Sequence, residues 1–132
     1  MESTILPSLK EIYFDLEKLS AVFDGQTMIK ERGIHGANSL VFKGMVSGVH
    51  CESVKEACER VDVLFEEIKK LGKGTHIFIT HDFFMRVIEV YIHRKGMEYY
   101  PITVEELERT RRNTYLSGFS TNRELGDFTS IE

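Results

Sequence analysis

The chain contains no tryptophan, two prolines and two cysteines among 132 residues. With so few prolines and no repeat or low-complexity stretch, nothing marks a linker between domains, and one domain is expected. Cys51 and Cys58 are too few for a disulfide scaffold and fit a reducing compartment. No apolar run reaches the roughly 18 residues of a membrane span. The opening Met1-Glu2-Ser3-Thr4 lacks the basic flank and apolar stretch of a signal peptide, so a cytoplasmic location is the expectation. Positive charge is also scarce. Lys and Arg number 17 against 21 Asp and Glu, a net charge of −4. That balance gives no electrostatic reason for nucleic acid or an anionic membrane as a partner.

What is present suits a soluble globular core: 42% hydrophobic and 29% charged residues. From Ser53 to about Leu71, Val54, Ala57, Cys58, Val61, Leu64, Phe65, Ile68 and Leu71 recur at three-and-four spacing, which places them on one helical face. Ser53 and Glu56 form a capping-box pattern at its start, and Gly72 is expected to stop it in the left-handed conformation. The segment Thr75-His76-Ile77-Phe78-Ile79-Thr80, β-branched and aromatic, reads as a buried strand. Asp82 follows as the expected N-cap of a second, widely apolar helix to about Lys95.

Helix, strand, helix is the grammar of an α/β layered domain with a mostly parallel sheet flanked by helices; an all-helical fold is the alternative. Thr103-Val104-Glu105-Glu106 repeats the capping logic before a short helix to about Arg112, and Thr114 to Phe119 reads as an edge strand. Upstream, Leu9 to Phe14 alternates like a short strand or loop, and Glu17 to Phe23 carries a weak helical pattern. The stretch from Gly25 to His50 yields only a short helix near Met28 and an apolar Leu40-Val41-Phe42.

In open α/β sheets, ligands gather where strands end and helices begin, beside unpaired N–H groups at the positive end of the helix dipole. His81 holds that position, and an oxyanion site is the inference. Its competing explanation is a helix-capping role. Arg86, four residues beyond Asp82, either pairs with it along the helix or lines the pocket. His76, five residues before His81, projects to the opposite face of a strand. His50, Cys51 and Cys58 lack a second C-x-x-C pair, so no metal and no cofactor is expected. His35 and His93 read as surface or loop histidines. Arg109, Arg111, Arg112 and Arg123 read as a solvated helix end and its surroundings rather than a nucleic-acid patch.

The run Ile77-Phe78-Ile79-Thr80-His81-Asp82-Phe83-Phe84-Met85-Arg86-Val87-Ile88 resembles the C-terminal histidine motif of the histidine phosphatase superfamily, the phosphoglycerate mutase-like enzymes. Leu9-Lys10-Glu11-Ile12 is similar to the L-R-E-I segment that carries the family's acidic proton donor. Cys51-Glu52-Ser53 with Arg60 is similar to its G-E-S followed by an arginine on the next helix, and Gly118-Phe119 to a late G-F element. The resemblance implies a phosphohistidine mechanism on a phosphoglycerate mutase-like fold. His81 would be the second, phosphate-binding histidine, Glu11 the acid, and Asp82 and Arg86 neighbours of the phosphate. The ligand would be phosphate or a phosphorylated small molecule.

The family's attacking histidine lies in an R-H-G motif upstream of the acid, with a further arginine in an S-P-x-x-R-type segment, and this chain has neither. Arg32-Gly33-Ile34-His35-Gly36 has the wrong spacing and follows Glu11. The resemblance therefore implies an incomplete version of the fold. A homodimer or an N-terminal partner chain would cover the sheet edge left by the missing strand. Two functions stay open: a phosphatase-like domain, inactive or very weak without a supplied nucleophile, and a non-catalytic phosphate-binding or protein-interaction module.

Overall fold

In the computed structural model, residues 6–72, 74–94, 102–110, 118–121 and 128–131 are described. Asp15 opens the first helix, α1 (Leu16–Phe23), by accepting the Lys18 N–H at 3.1 Å. Asp24 ends α1 in the left-handed region (φ 53), and α2 (Gly25–Arg32) begins at once. Gly33, at φ 60, turns the chain into α3 (Ile34–Ser47). Gly36 lies so close to α2 that a Cβ there would run into the Met28 carbonyl. The helical hairpin depends on that missing side chain.

The helix read from the sequence at Ser53 is α4 (Val54–Lys69), with both halves of its capping box in place. Its C-terminus differs from expectation. Lys70 remains right-handed, and Gly72 is not among the glycines of positive φ. Successive turn hydrogen bonds from Lys70 to Glu67 and Leu71 to Ile68 close the helix without a left-handed residue. Helix α5 (Asp82–His93) packs on α4, with Tyr91 stacked on Phe65 at 5.4 Å and donating to Asp62 at 2.6 Å. The short α6 (Val104–Glu108) carries the second capping box, between Thr103 and Glu106. It ends at Glu108, four residues before the expected Arg112.

The α/β layered domain with a mostly parallel sheet is not found. The described residues are mostly helical. Their two strands, β1 (Gly118–Thr121) and β2 (Phe128–Ile131), pair only with each other and antiparallel, with Gly118 opposite Ile131. The reason lies in Thr75–Thr80. This segment is not helical, yet no described residue forms a backbone ladder with it. Ile77 is 78% and Ile79 85% exposed, so the segment read as a buried strand is a solvent-facing connection between α4 and α5. A strand without a neighbour makes no sheet. The incomplete phosphoglycerate mutase-like architecture falls with it.

The core is instead a helical one. Leu19 of α1, Leu40, Phe42 and Met45 of α3, Ala57 and Val61 of α4, Phe84 and Val87 of α5 and Leu107 of α6 are buried in one cluster. A 3-10 turn over Pro7–Leu9 and an antiparallel bridge between Phe14 and Cys51 lay the N-terminal segment across this bundle. The expected strand from Thr114 overlaps β1 at Gly118 and Phe119; residues 114–117, like Lys95, Gly96, Tyr99 to Pro101, Arg111, Arg112 and Arg123, lie outside the described residues. No described helix is long and apolar enough to cross a membrane.

Candidate functional site

His81 is the N-cap residue of α5, extended (φ −121, ψ 160) and exposed, and its ring makes no hydrogen bond to a described residue. Asp82, expected as the cap, is the first residue of the helix, and no cap-residue side chain satisfies the first turn. Glu11 supplies the missing acceptor. Its Oε1 accepts the Phe84 N–H at 2.9 Å and its Oε2 the Phe83 N–H at 3.3 Å, across more than seventy residues of sequence. The Ile12 N–H also donates to Oε1, at 2.8 Å. A carboxylate at a helix N-terminus is favoured twice, by the orphan donors and by the dipole. The N–H groups read from the sequence as free for an anion are thus engaged by a side chain of the chain itself.

The segment carrying Glu11 is held by several fixed points. Thr80 Oγ1 donates to the Leu9 carbonyl at 2.5 Å. Arg60 of α4 donates Nη1 to the carbonyls of Ser8 (2.8 Å) and Lys10 (2.9 Å). Its Nε and Nη2 grip Glu52 at 2.7 and 2.9 Å, the two-point geometry that suits a guanidinium and a carboxylate. The same guanidinium lies 4.1 Å from the Phe84 ring centroid. Arg60 and Glu52, noticed through the resemblance, thereby anchor Glu11's segment beside α5. Phe14 meets Phe83 edge-on at 5.5 Å and covers the same end of the helix.

Arg86 lies one turn further along α5 and is 4% exposed. Its Nε donates to Asp82 Oδ1 at 3.2 Å, and its guanidinium stands 5.2 Å from the Phe42 ring. It also lines a cavity of about 310 Å³, together with Arg32, Ser39, Phe42, Glu108 and Thr110. Of the two alternatives raised for Arg86, the structure shows the pairing with Asp82 along the helix; the cavity that Arg86 lines is a different one from the expected pocket at His81, which does not border it. His35, read as a surface or loop histidine, sits on α3 and borders the same cavity. This grouping joins α2, α3, α5 and α6 at positions that no local spacing connects, so the sequence offered no signal for it.

The remaining histidines and the thiols stand apart. His76 holds a ring nitrogen 2.8 Å from the Gly72 carbonyl. Burial, with Glu52 and Glu56 nearby, pushes the Cys51 thiol up to about 12. Burial, with Asp62 next in weight, pushes Cys58 up to about 11. Both are poor nucleophiles near neutral pH. Among the described residues no three His, Cys, Asp or Glu side chains form a group able to hold a metal ion. Comparisons with protein-family models, with curated proteins and with solved structures found no match to this chain.

Proposed function

We propose that this chain is a silent relative of the histidine phosphatases, one that takes up phosphate or a phosphorylated small molecule at the His81 end of α5 without turning esters over by itself. The observation that carries the reading is the convergence of Glu11 and His81. The resemblance pairs these two residues in one site although they lie far apart in sequence. The Glu11 carboxylate accepts the N–H groups two and three residues beyond His81. The proposal concerns this local constellation and not a parallel sheet.

The chemistry explains why turnover is not expected. Phosphoryl transfer through a covalent intermediate needs an attacking imidazole, and no second histidine among the described residues is hydrogen-bonded to His81. Glu11 is also poorly placed to give a proton, because both of its oxygens accept backbone N–H groups. What remains is recognition. An exposed imidazole at the positive end of a helix can donate to a phosphoryl oxygen, and the ligand then shares the dipole with Glu11.

Titrating inorganic phosphate into the isotope-labelled chain, followed by NMR, is expected to shift the His81 ring and the neighbouring amides, and His81→Ala is expected to abolish that response. p-Nitrophenyl phosphate is expected to be hydrolysed no faster than in buffer. Absence of phosphate binding would sink the proposal. Turnover that disappears in His81→Ala would replace it with the enzymatic reading.

A further inference from the structure

We infer that the cavity bounded by α2, α3, α5 and α6 is a binding site for a small zwitterion, an α-amino acid or close analogue, with its carboxylate on Arg86 and its ammonium at Glu108. The inference does not rest on the phosphate reading and concerns a different set of residues. It begins with donors left over on a largely buried side chain. Arg86 is 4% exposed and its Nε is taken by Asp82, while its two terminal nitrogens make no hydrogen bond to a described residue and keep some access to solvent. A ligand carboxylate that reaches them replaces only water at a guanidinium otherwise enclosed by protein. The planar pair of donors matches a carboxylate at two points.

The opposite wall supplies the complement. Arg32 Nη1 donates to Ser39 Oγ at 3.2 Å, and Ser39 Oγ donates to Glu108 Oε1 at 2.7 Å. The second oxygen of Glu108 accepts no hydrogen bond from a described residue and is left for a ligand donor. The lining carries both signs: Arg32 and Arg86 are positive and Glu108 negative, and Arg86 is also paired with Asp82, which lies outside the lining. A zwitterion matches both poles. Phe42 offers an apolar floor, and about 310 Å³ is the lower end of the range for small-molecule pockets, the size of a single amino acid rather than a peptide.

The test is an NMR titration of the labelled full chain with each of the twenty common L-amino acids, with inorganic phosphate and acetate in parallel. At least one amino acid is expected to shift the resonances of Arg32, Ser39, Phe42, Arg86 and Glu108. Its N-acetylated and amidated derivatives are expected to bind about tenfold or more weakly, one charge-assisted contact each. Arg86→Gln is expected to do the same. Because Arg86 is buried and its replacement can unfold the chain, Glu108→Gln, at an exposed position, carries the decision: a folded spectrum with about tenfold weaker binding. No response to any amino acid at millimolar concentration overturns the inference. So does an equal response to acetate or phosphate alone, or binding indifferent to Glu108→Gln. Phosphate shifts confined to His81 and its neighbours would leave this result untouched, so the two proposals fail separately.

Discussion

Both oxygens of the Glu11 carboxylate accept N–H groups from the first turn of α5, and at this scale one side chain decides how a helix begins. Glu11→Ala leaves three donors, the N–H groups of Ile12, Phe83 and Phe84, without that acceptor and is expected to destabilise the chain by about 1–2 kcal/mol, read as a lower urea midpoint with an unchanged slope. Glu11→Gln, which keeps one acceptor oxygen, is expected to cost less. The thiols supply a pH dependence. Cys51 and Cys58 rise from an ordinary 9.0 to about 12 and about 11, so the folded chain keeps protons that the unfolded chain gives up. Their stabilisation is complete below pH 9.0 and is lost as pH climbs through about 11 and then about 12. Urea midpoints measured across that window are expected to fall, and to fall less in Cys58→Ala. The capping role of Glu11 was not legible in the sequence, because a cap that arrives from a distant segment leaves no local spacing to read.

Among the elements, α4 and α6 were readable because everything that starts them is local: a hydroxyl, and a glutamate three residues on, at Ser53 and Glu56 and again at Thr103 and Glu106. Ser53→Ala is expected to cost about 1 kcal/mol in a denaturation experiment. Helix α3 was not readable, since Gly36 and Gly44 interrupt its pattern and lower its helix propensity. The structure gives both glycines a purpose. Gly36 admits the Met28 carbonyl, and a Cβ on Gly44 would meet Leu19 Cδ2 at 2.7 Å. Gly36→Ala gains helix propensity but collides with backbone, which cannot swing aside as a side chain can. It is expected to destabilise by about 1–3 kcal/mol, with a loss of cooperativity in thermal unfolding.

For the whole molecule the decisive stretch is Thr75–Thr80. Its residues have every local property of a strand, and the mistaken parallel sheet followed from trusting them. Strand propensity is realised only against a partner, and partners are a property of the whole fold. Hydrogen exchange is expected to be near the unprotected rate at the amides of Thr75–Thr80 and slow at Phe42, Val61 and Val87. Protection of the segment that grows with protein concentration would instead reveal pairing between copies of the chain. The helices on either side need no such partner: α4 and α5 are joined by the Phe65–Tyr91 stack and the Tyr91–Asp62 hydrogen bond, and Glu11 and Arg60 tie the N-terminal segment to both.

A single peptide-bond cut between Gly74 and Ile79 should therefore sever the polypeptide without separating its pieces. Brief protease treatment is expected to give two bands under denaturing electrophoresis that elute together from a sizing column. Expressed as separate genes and mixed, the two pieces should reassemble, which would make the α4 to α5 connection a natural place to split this protein into complementing halves.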